Sequence, residues 1–190
     1  SIIFDDQIIY ANPNLFQWIT IFIVGLLFFP IQTAYEEIVY RGYIFQGLSL
    51  ILKNRILLAL LTSLFFTAIH AFNPEMSMGA VEYLSGIFIF GILLFIFVVL
   101  DDGLEIAMAY HLIHNVNTLI IGVPGGILGN DYLFYYSSLD ATWTNFITSP
   151  LSIGILTILI FNKKYNWNIG GKLKKIIIGE KSEVNHKFSQ

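Results

Sequence analysis

Cysteine is absent from this 190-residue chain, and charged side chains are scarce. The lack of cysteine excludes disulfides, thiolate metal sites and a thiol nucleophile. Asp, Glu, Lys and Arg make up 12% of the residues, which is about half the fraction of a typical soluble domain. The net charge of −3 is too small to indicate a nucleic-acid partner, so none is expected.

Apolar residues make up 56% of the chain, whose mean hydropathy is +0.71. They come in blocks of about 20, the length that crosses a bilayer as a helix. Six segments can be marked, at residues 15–34, 36–52, 55–72, 81–100, 103–122 and 146–161. They predict an all-α fold, a polytopic transmembrane bundle of about six helices at residues 15–162. Residues 1–14 form an N-terminal segment, and residues 163–190 form a basic tail.

Two connections are less clearly defined by the pattern. Pro30 is expected to kink the end of the first segment, and one long bent helix across the first two segments is the alternative. Residues 123–145 begin with turn residues and become rich in Tyr, Phe and Trp, which commonly lie at headgroup level. We interpret this stretch as an interfacial loop that can include a short amphipathic helix.

Basic residues indicate an orientation in the membrane. Lys53, Arg55 and the lysine-rich tail are expected in the cytoplasm, which places residues 35–37 and 70–75 toward the outer face. The chain starts with Ser1 rather than Met, which is compatible with a fragment or a processed form that lacks an earlier helix. Residues 1–14 contain no basic residue, so no signal peptide is predicted.

Ionisable residues inside the apolar segments are the main functional signal, because such groups are costly in a membrane and usually functional. Near the starts of their segments lie Glu82 and Glu105, which are expected to be solvated. The remaining group is Glu36, Glu37, Arg41, His70, His111 and His114, with Asn115 beside it.

Helical spacing indicates that these residues share one site. Glu37 and Arg41 are four residues apart, which suits an ion pair on one helix face. His111 and Asn115 are also four apart. At 1.5 Å per residue, Glu36 and His70 both lie roughly 23 Å from the turn at residues 53–54. Three helices can therefore direct these side chains into one cavity.

The alternative is a purely structural role, in which Arg41 and a glutamate fix helix packing and His70 makes an interhelical hydrogen bond. The number of polar groups exceeds what packing needs, so we favour hydrolysis, which requires a base for water and donors for the oxyanion. Other hydrolase signatures are missing: the sequence has no H-E-x-x-H, no G-x-S-x-G and no pair of aspartates within the apolar segments.

Three short motifs then connect the chain to a known family. The sequence resembles the CAAX-protease and bacteriocin-processing family of intramembrane endopeptidases, also called the Abi family. Its E-E-x-x-x-R motif matches Glu36, Glu37 and Arg41; its F-x-x-x-H motif matches Phe66 and His70; its H-x-x-x-N motif matches His111 and Asn115. Each motif alone is weak, but all three occur in order on separate apolar segments. The resemblance covers roughly residues 30–120.

The resemblance implies a division of roles among these residues. Glu36 is the first choice for the base that activates water, assisted by His70, and Glu37 pairs with Arg41. His111 and Asn115 would stabilise the tetrahedral intermediate. Members are described both as metalloproteases and as metal-free glutamate proteases, so a Zn²⁺ site of Glu36, His70 and His111 stays open beside direct binding of water.

The expected function is therefore hydrolysis of a membrane-associated peptide or protein, in CAAX-type cleavage or in bacteriocin or pheromone processing. Membrane lipids and such a substrate are the expected partners. The richness in Lys, Asn and Ile favours a bacterial plasma membrane. Two alternatives are a non-catalytic immunity or scaffold protein, which would be expected to have lost motif residues, and a transporter, for which no internal repeat is present.

Overall fold

The computed structural model describes residues 2–4, 7–11, 14–122, 133–136 and 149–178, and these are mostly helical. The α-helices are α1 (Leu15–Glu37), α2 (Phe45–Ile51), α3 (Arg55–His70), α4 (Ala80–Asp101), α5 (Glu105–Ile120), α6 (Ser149–Tyr165) and α7 (Ile169–Ile178). A π-helical segment (Ile38–Ile44) joins α1 to α2, and a 3₁₀ turn (Pro74–Met78) precedes α4.

The first two predicted segments form one uninterrupted helical run of 37 residues, Leu15–Ile51. The predicted break at residue 35 is wrong, and a single long helix, the alternative, is what forms. The run continues through Pro30 as an α-helix. It changes to π-helical hydrogen bonding only after Glu37, and the amide of Phe45 donates to the carbonyl of Tyr40, five residues earlier. The run ends at Leu52, whose backbone is extended, and the side chain of Asn54 then caps α3.

The core lies around α4, which packs against α3, α5 and α6. Of the buried side chains of α4, those of Phe90, Leu94, Phe97 and Leu100 belong to the core cluster. They meet Phe66 of α3 together with Ala107 and Tyr110 of α5. The α3–α4 approach is close at Gly91, where an added Cβ would lie 3.1 Å from the Cβ of Ser63.

Two helical runs among the described residues, Leu15–Ile51 and Ala80–Asp101, are long and apolar enough to cross a membrane, and Arg55–His70 is a shorter apolar helix. The first run carries large exposed apolar side chains such as Phe16, Leu27 and Ile31. Lipid would cover these side chains. The bundle of about six crossings stays a prediction.

A small four-stranded sheet departs from the all-α prediction. Its strands are β1 (Ile2–Phe4), β2 (Gln7–Ala11), β3 (Ile121–Gly122) and β4 (Phe134–Tyr136), in the order β1-β2-β4-β3. The pair β1–β2 is antiparallel, with Ile2 opposite Ile9. Isoleucine and aromatic residues favour strands, and both the N-terminal segment and the interfacial stretch are rich in them. Most of residues 123–145, including the suggested amphipathic helix, lies outside the described residues.

Candidate active site

The ion pair between Glu37 and Arg41 is the most deeply buried charged contact among the described residues. Oε1 of Glu37 accepts from NH1 of Arg41 at 3.0 Å, and their side chains are 0% and 1% exposed. Arg41 also donates through NH2 to the carbonyl of Gly91 at 3.1 Å, and its guanidinium lies 4.5 Å from the ring centre of Phe66. Arg41 thereby ties the first helical run to α3 and α4.

His111 brings α5 to the same carboxylate. Its Nδ1 lies 2.8 Å from Oε1 of Glu37. Because a carboxylate next to arginine can only accept, Nδ1 carries the proton and Nε2 is left for the site. That Nε2 lies 3.7 Å from Oε2 of Glu36. His111 therefore stands between the two glutamates, bonded to one and facing the other.

Glu36 has a different environment from its neighbour. Its side chain is 12% exposed, and Nε2 of Gln32 donates to its Oε1 at 3.0 Å. Its second oxygen, Oε2, is buried and has no hydrogen-bond partner among the residues that the structure describes. A separation of 3.7 Å from His111 is longer than a direct hydrogen bond, and a water bonded to both groups would close it.

His70 reaches the group from the end of α3. Its Nδ1 lies 2.7 Å from the carbonyl of Phe66, which fixes the proton on Nδ1 and leaves Nε2 as an acceptor. The ring of Phe66 lies between two imidazoles, with ring centres 4.5 Å from His70 and 5.7 Å from His111.

Asn115 lies on α5 directly after His114. The ring centre of His114 lies 4.4 Å from that of Phe90. Phe90 in turn contacts His111, with ring centres 5.3 Å apart. His114, which lies outside the motifs, therefore belongs to the same cluster.

The side chains of this site are of the types that bind zinc, since two imidazoles and a carboxylate are a common donor set. Among the described residues, no group of three or more His, Cys, Asp or Glu is placed to hold a metal ion. The bonds to Glu37 and Phe66 use Nδ1 of His111 and of His70 and leave both Nε2 atoms for the site, as in many zinc-binding histidines. A zinc triad of Glu36, His70 and His111 stays a prediction.

Two contacts of the site were not singled out from the sequence. Gln32 holds Glu36, and the carbonyl of Gly91 holds Arg41. The first had a signal: Gln32 precedes Glu36 by four residues, the spacing of side-chain pairs on one helix face. The second contact had no signal in the sequence, because every residue has a backbone carbonyl and residue type does not indicate which one Arg41 bonds. Of the two acidic residues expected to be solvated, Glu105 is exposed and Glu82 is partly so.

Comparison with known proteins agrees with this geometry. The family model described as type II CAAX prenyl endopeptidase Rce1-like matches residues 14–117, which include every motif residue. This chain belongs to that family. The Rce1-like family is membrane-embedded and of the CAAX-protease type, in keeping with the two candidate spans.

The chain is also similar to a curated bacterial protein, the uncharacterized protein YyaK of Bacillus subtilis (strain 168). The two are 26% identical over 176 residues, which is 86% of this chain and 55% of the relative. The chain therefore spans about half the length of this curated relative. No solved structure matches this chain.

Proposed function

We propose that this chain is an intramembrane endopeptidase that hydrolyses a peptide bond of a membrane-associated peptide or protein. The observation that carries the proposal is the 3.7 Å gap between Oε2 of Glu36 and Nε2 of His111. A water in this gap would meet a carboxylate oxygen without other partners and an imidazole held by Glu37. Membership of a CAAX prenyl endopeptidase family supports the same reaction.

In the proposed reaction, Glu36 takes a proton from the water while the water oxygen attacks the substrate carbonyl carbon. The carbonyl oxygen becomes an oxyanion. We assign His111 the donor role toward it: with a proton on both ring nitrogens, Nε2 would donate to the oxyanion while Nδ1 stays bonded to Glu37. The C–N bond then breaks, and the leaving amine receives the proton carried by Glu36. His70 and Asn115 are assigned supporting roles, His70 toward the water and Asn115 toward the oxyanion.

The first prediction concerns Glu36→Gln, which keeps the shape of the side chain and removes the base. Loss of a general base lowers the rate by about 10²-fold or more. The measurement uses the full chain in liposomes with an internally quenched peptide that ends in a prenylated CAAX sequence. An otherwise identical peptide without the lipid tests whether the substrate is membrane-associated.

Glu105→Gln is the matched control, since Glu105 is exposed on α5, the helix that carries His111. We expect it to cleave like the wild type, and both variants to melt at the wild-type temperature. Equal cleavage by the wild type and Glu36→Gln would refute the assigned base. A wild type that binds the peptide without cutting it would favour the scaffold alternative.

A further inference from the structure

Gln32 is a polar residue in the middle of the longest apolar helical run. It lies 17 residues after Leu15 and 19 before Ile51. Its side chain is exposed at the surface of the run. Its Nε2 donates to Oε1 of Glu36 at 3.0 Å, one helical turn away. The side chain is therefore bonded to the proposed base itself.

The two carboxylate oxygens of Glu36 have different surroundings because of this bond. Oε1 is engaged by the amide, whereas Oε2 faces His111 and has no hydrogen-bond partner within the described part of the chain. Rotation of the carboxylate away from the gap would break the bond to Gln32. The amide thus selects the rotamer in which one oxygen meets the water.

The chemical nature of the donor matters as well as its position. Glu37 is held by the cationic Arg41, which neutralises its charge. Glu36 is held by a neutral amide, which fixes the carboxylate without adding a counter-charge at 3.0 Å. The proposed base is thus fixed by a neutral donor and its neighbour by a cation.

We propose that Gln32 is a positioning residue for the hydrolytic reaction, acting through its hydrogen bond to Glu36. The inference rests on the proposed function, since it takes Glu36 as the base. It is separable from that function, because Gln32 touches neither the water site nor His111 in the contacts that the structure shows.

The kinetic test is Gln32→Met, which keeps the length of the side chain and removes the donor. We expect kcat to fall about tenfold, the size of one lost hydrogen bond to a charged group, with KM and the melting temperature unchanged. The matched control is Gln46→Met, because Gln46 is exposed on α2 in the same helical run. Gln32→Glu, which keeps the shape and also lacks a donor, is expected to lose at least as much activity.

A second readout does not depend on a substrate. The infrared difference between the wild type and Glu36→Gln isolates the carboxylate stretch of Glu36, and we expect this band to shift in the Gln32→Met background. An unshifted band, or an unchanged kcat while Glu36→Gln is inactive, would overturn the role of Gln32 alone. Equal activity of the wild type and Glu36→Gln would instead overturn the proposed function, and the infrared band would still decide whether Gln32 holds Glu36.

Discussion

At the scale of single residues, two adjacent glutamates differ because of their partners. The pairing of Glu37 with Arg41 was predictable from spacing, since Arg41 follows Glu37 by four residues. The role of Glu36 as the base was implied by the family resemblance and stays a prediction. The bond from His111 to Glu37 was not predictable, because it depends on how α5 is rotated against α1.

The buried pair leads to a prediction for Glu37→Gln. This variant leaves the guanidinium of Arg41 buried without a counter-charge, since both side chains are almost fully buried. Removing one partner of such a pair costs about 3–5 kcal/mol. We expect a lower melting temperature in detergent and loss of cleavage, since Nδ1 of His111 also exchanges its carboxylate partner for a neutral amide oxygen.

The double variant Glu37→Gln with Arg41→Met separates stability from chemistry. Without the unpaired guanidinium, we expect part of the lost stability to return, because apolar replacement of a buried pair is far less costly than breaking it. Cleavage is not expected to return. Recovery of activity together with stability would mean that Glu37 has only a structural role.

At the scale of elements, the π-helical segment Ile38–Ile44 begins directly after Glu37 and contains Arg41. Such segments are rare and often lie at functional sites, because the extra residue per turn redirects the side chains that follow. The sequence signals a helix here but not its widening, since residue type does not report a change of hydrogen-bond spacing. The sequence predicted a break at residue 35, and the structure has an uninterrupted helix with a π-helical segment that begins three residues later.

The contact of α3 with α4 leads to a prediction for Gly91→Ala. The added Cβ would lie 3.1 Å from the Cβ and 3.3 Å from the Cα of Ser63, so the two helices must separate. We expect a loss of about 1–3 kcal/mol in the free energy of unfolding. Activity should fall too, since the carbonyl of Gly91 holds Arg41.

The compensating variant identifies the cause of this loss. Ser63→Gly removes the opposing Cβ and is expected to recover much of the stability of Gly91→Ala, whereas Ser63→Ala keeps that Cβ and should recover none. Gly47→Ala is the control, because nothing lies within 4 Å of its added Cβ. It should be neutral or slightly stabilising. Equal recovery by both serine variants would exclude helix separation as the cause.

At the scale of the whole molecule, composition and motifs predicted a helical membrane protein with one polar site, but they did not predict the sheet. The strands of the sheet are two to five residues long, and β2 pairs with β4 across more than 120 positions of sequence. Short strands with distant partners give little periodic signal. The first turn of α7 is likewise fixed by a distant contact: Nζ of Lys172 lies 2.7 Å from the carbonyl oxygen of Leu100.

The arrangement of helices across the membrane can be mapped because the chain has no cysteine. Single variants Lys53→Cys, Phe72→Cys and Lys163→Cys place one thiol each at exposed positions, one before α3, one after it and one near the end of α6. If α3 crosses the membrane, an impermeant maleimide should label Phe72→Cys from the side opposite to Lys53→Cys. Four crossings separate Lys53 from Lys163 in the predicted bundle, so these two should label from the same, cytoplasmic side. The labelling of Lys53→Cys and Phe72→Cys tests α3 in particular, because its 16 residues fall short of the roughly 20 that a spanning helix needs. Labelling of both variants from one side would mean that α3 enters the membrane without crossing it. His70, at the end of α3, would then lie on the same side of the membrane as the start of the helix.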